Sequence, residues 1–393
     1  MTMNRILRIL LYASLAIFIF GPVASLHVSP GLNIYVMDIL AGLMSLVWLI
    51  NFSKFEHTSK NAWIFKYFLL FTFVCLIALV LSPIPMTVTE KAISSLYLFR
   101  FISYFFVFLS VRHLLDKGML KKTDTARMLF SLGVLLIAFG WIQYFFYPDL
   151  RNLYYLGWDP HFKRIFGSFL DPNYFGLILV LLLIVNFLYF NSSKALKMVT
   201  TTLFVVTLAF TYSRSSYLAF LSSLSYYFLT KRKFKQMLII FSVFFVLTIL
   251  LPRPGGAGVM LERVFSIRER VGNWQQGISI FQKNPIIGVG FNTLRYAKKE
   301  YGLLQDNLEY SHSGAGIDNS YIFVLATTGL TGGVFFILFL KQLFVKSGFI
   351  MKISLIAVLV HSLFLNSLFF PWVLYLLTLI SAIDLRKKNI ILT

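Results

Sequence analysis

The chain has 393 residues, of which 58% are hydrophobic, 18% aromatic and 13% charged, with a formal net charge of +21. A mean hydropathy of +0.78 excludes a water-soluble globule, which cannot hide that much apolar surface, and predicts a polytopic membrane protein. Most of the positive excess falls in loops of one side, where it orients helices in a bilayer, so it gives no ground for nucleic acid as a partner.

Apolar runs of roughly 20 residues, broken by charged, Pro and Gly clusters, mark the spans. They lie near 6–26, 31–51, 62–82, 88–111, 127–147, 173–191, 196–212, 214–230, 235–251, 320–343, 351–369 and 371–385. The first run follows Arg5 and Arg8, lacks a small-x-small cleavage site and is expected to stay as a helix. The expected fold is therefore all-α: a polytopic membrane helix bundle of about 12 transmembrane helices. It forms one integral membrane domain over 1–393 with a single insert at 252–319. The lone cysteine, Cys75, falls inside a span, so no internal disulfide can form.

Basic residues test this count. Arg5 and Arg8, Lys54 and Lys60, the group from Arg112 to Arg127, Lys194 and Lys197, Lys231 to Lys235, Lys341 to Lys352, and Arg386 to Lys388 all fall on one side. The opposite short loops 27–30, 83–87 and 369–371 carry none. The positive-inside rule then places both termini in the cytoplasm, in a cytoplasmic membrane. Basic residues against the rule concentrate in 148–172, at Arg214 and in 252–319.

The insert opens with Pro252, Pro254, Gly255, Gly256 and Gly258, a flexible exit. An amphipathic helix follows: Val264, Ile267, Val271, Trp274, Ile278 and Phe281 recur at steps of three and four, facing the bilayer or the bundle. Arg263 and Arg270 are seven apart and share a face; Arg268 lies on another. Asn284-Pro285 ends the helix, and Gly288 to Gly290 makes a tight turn. A polar stretch with His312 leads to Asp318-Asn319-Ser320, which opens the next span. Arginines on such a helix suit a lipid-linked anionic headgroup, and they equally suit plain lipid phosphates.

Six segments together resemble the O-antigen ligase and polymerase family of bacterial envelope enzymes. They are Gly167 to Asn173, Tyr212 to Ser215, Arg270 to Trp274, Asn284 to Gly290, Asp318 through Thr328 to Gly332, and His361 to Ser367. The resemblance runs over 165–372. It implies an inverting, metal-independent glycosyltransferase without cofactor. The donor would be an undecaprenyl diphosphate-linked oligosaccharide on the extracytoplasmic face, and the acceptor a glycan, lipid or protein hydroxyl. Arg214 and Arg270 match the family's arginines and are expected to hold the diphosphate. Asp318 stands where many ligases of the family have a histidine, and it is expected to act as base or simply to cap the helix. His312 is the other candidate base. Arg268, Arg263 and Asn319 are expected nearby.

Asp171 and Asn173 read as a helix start, with Asp171 the cap and Pro172 the first helical residue, beside the same outer loop. Arg151, Lys163 and Arg164 in that loop are expected either to steer an anion or to be solvated, and Tyr154, Tyr155 and Trp158 to stack on sugars. Arg100, expected deep in the fourth span, would reach the diphosphate from below or pair with Asp38. The six histidines and few acids show no metal-ligand spacing. Polymerase is favoured over ligase because of Asp318. A lipid-linked oligosaccharide flippase is the rival from another class, disfavoured because the two halves of the chain differ.

Overall fold

A computed structural model of the chain describes residues 3–29, 32–51, 62–156, 159–253, 257–261, 265–304 and 316–384. Among the described residues, α-helices follow in the order α1 (Met3–Phe18), α2 (Val36–Ile50), α3 (Ala62–Val80), α4 (Val88–Asp116), α5 (Lys122–Phe146), α6 (Pro172–Leu188), α7 (Lys194–Ala209), α8 (Arg214–Thr230), α9 (Phe234–Leu250), α10 (Phe265–Lys283), α11 (Leu294–Glu300), α12 (Ser320–Lys346), α13 (Phe349–His361) and α14 (Pro371–Asp384). Each of the twelve runs expected to span overlaps one helix. By length and composition α4, α5 and α12 can each cross a membrane, and further apolar helices are shorter.

Two boundaries differ from expectation. Residues 25–35, expected as a helix end, a loop and a helix start, form an antiparallel hairpin of β1 (Ser25–Ser29) and β2 (Leu32–Tyr35). Leu26, Val28 and Ile34 favour strand over helix, and Pro30-Gly31 separates the two runs. The run expected to end near 369 stops at His361, and the chain returns through a 3-10 turn at Ser367–Phe369.

α6 is apolar on every side and is the innermost helix, with nearly all its residues buried. It packs against α5, α7, α8, α13 and α14. Around it α3 packs on α12, α8 on α13, and α4 on α2 and α14. Aromatic residues fill the seams: Phe369 sits among Phe101, Phe291, Phe323 and Phe336.

α10 is the expected amphipathic helix, but its buried face is not the apolar stripe read from the sequence. Ile267, Val271 and Ile278 are exposed, whereas Gly277 and Ile280 are buried against the bundle. The reason is steric. α10 lies so close to α12 that a Cβ on Gly277 would come within 2.5 Å of Ile322 and 2.6 Å of Ile317. Contact is made through a glycine, and the larger apolar residues are left outside, where a bilayer surface would receive them.

The chain after α10 is fastened across a break in α12. Gly329 (φ 65°, ψ −166°) interrupts that helix. The freed carbonyls of Ala326 and Thr327 accept from the amides of Val289 and Gly290, both at 3.0 Å. Beyond the break, the amides of Leu330 and Thr331 donate to Pro285 and Ile286 carbonyls at 2.8 and 3.2 Å. Four backbone groups that a broken helix would leave bare in an apolar bundle are thereby satisfied. The crossing is close enough that a Cβ on Gly329 would meet the Ile286 carbonyl oxygen at 2.2 Å, and one on Gly288 the Thr327 carbonyl carbon at 2.4 Å.

Gly329→Ala is expected to destabilise the protein by at least about 2 kcal/mol, from positive φ and overpacking together. Purified protein in detergent should lose its monodisperse form at a clearly lower temperature than wild type. Gly272→Ala, at a position with nothing within 4 Å of an added Cβ, should not.

Candidate active site

The starts of α6 and α8 meet at the end of the bundle that carries the insert. Asp171 caps α6, its Oδ1 accepting from the amides of Asn173 at 2.6 Å and Tyr174 at 3.4 Å. Ser213 caps α8, its Oγ accepting from the Ser216 amide at 3.3 Å. Side chains join the two starts: Ser213 Oγ donates to Asn173 Oδ1 at 2.9 Å, and Ser216 Oγ to the Asn173 carbonyl at 2.8 Å. His361, wholly buried at the end of α13, continues this network, with Nε2 3.4 Å from Ser216 Oγ and Nδ1 2.6 Å from Ser367 Oγ.

Arg214 is the first residue of α8 and donates through Nη1 to the Leu261 carbonyl at 3.1 Å. Arg270, from α10, lies within electrostatic reach of Arg214, Asp318, His361 and Asp159. Arg270 is half-buried. Among the described residues, no hydrogen bond or salt bridge engages its guanidinium. Two like charges share one crevice, where each raises the cost of the other unless an anion joins them.

Asp318 is held by its backbone. Its amide donates to Asn273 Oδ1 at 2.7 Å, and its carbonyl accepts from Trp274 Nε1 at 2.9 Å. Asn273 and Trp274 both belong to α10, so one helix sets Asp318 and presents Arg270. The cap of α12 is Asn319, not Asp318: Asn319 Oδ1 accepts from the amides of Tyr321 at 2.9 Å and Ile322 at 3.0 Å. The Asp318 carboxylate is thus not used up by capping.

Three carboxyls share the crevice. Burial raises the Asp318 pKa, Arg270 lowers it, Asp171 raises it and Lys298 lowers it, and the net direction is upward. Asp171 is also raised by burial, against the amides it caps and the Arg164 charge. Asp159 keeps solvent contact at the mouth. Burial and the charges of Asp171 and Asp318 push its pKa up to about 6, against Arg164 and Arg270.

The structure brings Asp318, Arg214, Arg270, Asp171, Asn173 and Asn319 to one end of the bundle. Arg268 is exposed on another face of α10, as its spacing implied. Arg263, His312 and Trp158 lie outside the described residues, as do the side chains of Tyr154 and Tyr155. Arg164 neither steers nor is solvated: it is 2% exposed and donates to the carbonyls of Thr211 at 2.8 Å and Tyr212 at 3.2 Å, fixing the turn before Arg214. Arg151 pairs with Asp149 at 2.7 Å on the surface.

Of its two expected roles, Arg100 has the pair with Asp38, at 2.6 Å, and it also donates to the Asn33 carbonyl at 3.1 Å. Its guanidinium lies between the rings of Tyr35 and Tyr97. The expected depth was wrong. Asp38 is in the first turn of α2, so Arg100 is level with a helix start, and α4 runs about 18 Å beyond it. Sequence reading missed Lys298 and Asp159, and it took His361 only as part of a motif. Lysine in a basic insert reads as solvated, and only the packing of α11 reveals otherwise.

Residues 199–337 match the model of the O-antigen ligase family. The match takes in Arg214, Arg270, Asp318 and the α12 break; the Asp171 and His361 segments lie outside it. No curated protein matches the chain.

The raised pKa of Asp159 gives a pH dependence with a definite sign. Above about 6 the carboxylate is charged and opposes an anion, whereas below it the group is neutral and the crevice gains positive character. Binding of a diphosphate diester, whose own acid groups stay ionised in this window, should tighten several-fold from pH 7 to pH 5. Asp159→Asn should bind more tightly at pH 7 and show a smaller change, read by equilibrium binding to protein in detergent.

Proposed function

We propose that this chain, a helical membrane protein carrying the O-antigen ligase domain over residues 199–337, is an inverting glycosyltransferase. It would take a glycan from a polyprenyl diphosphate donor on the extracytoplasmic face of a bacterial cytoplasmic membrane. The observation that carries the reading is Arg270: a guanidinium with no counter-ion among the described residues, set beside a second arginine and a buried carboxylate by the helix that holds them.

In the proposed reaction the donor diphosphate lies between Arg214 and Arg270. The acceptor hydroxyl approaches the anomeric carbon from the face opposite the diphosphate. Its oxygen bonds to that carbon, its proton passes to the Asp318 carboxylate, and the bond from carbon to diphosphate oxygen breaks with its electrons going to the diphosphate. Negative charge grows there during the step, and fixed guanidiniums in a partly dry crevice stabilise it most in the transition state. Asp318 suits the base role because burial outweighs Arg270 and Lys298 in its proton affinity. The start of α8, with Ser213 at its cap, adds the positive end of a helix dipole beside Arg214.

The favoured acceptor is a second lipid-linked glycan, which makes the protein a polymerase of envelope polysaccharide; transfer to a lipid or protein acceptor is the ligase alternative. Twelve spans with both termini in the cytoplasm fit the distribution of basic residues. The two outcomes separate in cells lacking the protein: single repeat units left on the carrier lipid identify a polymerase, and intact long chains left there identify a ligase.

With a defined undecaprenyl diphosphate oligosaccharide and purified protein, Arg214→Ala and Arg270→Ala should each cost about 10²- to 10³-fold in turnover. Asp318→Asn should cost about 10²- to 10⁴-fold, and the exposed Arg268→Ala only a few-fold. Equal silence of wild type and every variant with matched substrate would sink the enzymatic reading.

A further inference from the structure

Lys298 is 2% exposed, on the short helix α11. Its Nζ donates to the Gly316 carbonyl at 2.8 Å, two residues before Asp318. The same carbonyl accepts from Asn273 Nδ2 at 3.4 Å, and Asn273 also receives the Asp318 amide. Segment 316–318 is therefore gripped from two helices, α10 and α11, and every grip is on its backbone.

A tie to one carbonyl does not need a cation. A neutral donor would do it without the cost of burying an ammonium, which is large unless an opposite charge is near. That opposite charge is Asp318: each acts electrostatically on the other. The groups that act on Asp318 from the surrounding elements are Arg270 on α10, Lys298 on α11, and Asp171 and Asp159 before α6, with the Tyr174 phenol of α6 also in reach. Arg270 is assigned to the diphosphate, so a bound donor competes for its field. Lys298 faces the protein rather than the crevice, and its charge on Asp318 persists through substrate binding.

We propose that Lys298 is a positioning residue for Asp318: it fixes the peptide at Gly316 and supplies the standing positive charge that keeps the Asp318 carboxylate ionised while the crevice is filled. The inference rests on the reading of Asp318 as base. Burial opposes the Lys298 charge and brings its pKa down to about 8, so the ammonium is retained at neutral pH. Without that charge the Asp318 carboxylate binds its proton more tightly, and a higher pH is needed to free it.

The test is the pH profile of turnover with a lipid diphosphate oligosaccharide for wild type, Lys298→Met, Lys298→Gln, Lys298→Arg and Asp318→Asn. Lys298→Met and Lys298→Gln should move the acid limb to higher pH, with on the order of tenfold less activity at the wild-type midpoint. Both should recover much of the loss at alkaline pH, at an unchanged KM for donor. Lys298→Gln keeps a donor for Gly316, so a shift in that variant reports charge rather than tethering. Lys298→Arg should keep the limb near its wild-type place. An even loss across the whole range, or a raised KM for donor with the limb in place, overturns the assignment while leaving Asp318 as base. Should Asp318→Asn keep the wild-type profile, the base itself is misassigned and Lys298 falls with it.

Discussion

The structure depends on the way the chain at 285–290 is hydrogen-bonded across the break in α12. A helix interrupted inside an apolar bundle exposes amides and carbonyls that have no water to turn to, and each costs several kcal/mol if left bare. Here the segment after α10 supplies all four partners at the crossing. The consequence reaches the chemistry. α10 carries Arg270 and sets Asp318 through Asn273 and Trp274, and its exit is bonded to the helix that Asp318 precedes. The insert is therefore a fixed wall of the crevice rather than a loop laid over it.

That fixity matters because the crevice is electrostatically unfavourable when empty. Arg214 and Arg270 repel, and Asp159, Asp171 and Asp318 raise one another's proton affinity. A flexible loop would relieve both by moving apart. Rigid helix starts hold the charges in place, so the relief has to come from a ligand. A diphosphate satisfies the arginines, and a neutral hydroxyl approaching Asp318 adds no further charge. Pre-set repulsion of this kind turns into ligand affinity, and into selectivity for an anion of matching size.

The helices were legible because apolar runs and basic loops report them directly, and the motif at Asn284 to Gly290 was legible as a turn. Its purpose was not. The partner of Gly288 is Thr327, nearly forty residues on, and nothing in a linear pattern says that one glycine exists for the close approach of another strand of backbone. The stripe on α10 misled for the same reason, since small residues mark contact where helices pack tightly. Arg100 was placed by counting from the nearest polar loop, and α4 extends beyond that level. Arg214, Arg270 and Asp318 were legible as a group only because their segments resemble known ones; spacing alone left each of them a surface or capping residue.

The replacement of a histidine by Asp318 then has a physical meaning. An imidazole beside two arginines would stay neutral without help, because neighbouring cations disfavour its charged form, and neutral imidazole is already a base. A carboxylate in the same place faces the opposite problem. The arginines hold it ionised but weaken it as a base, and burial strengthens it but invites a proton. Asp318 sits where these terms nearly oppose, with Asp171 pushing one way and Lys298 the other. The base can change identity in such a site only if its surroundings change with it, and the buried lysine on α11 is the surrounding charge that a carboxylate needs and an imidazole would not.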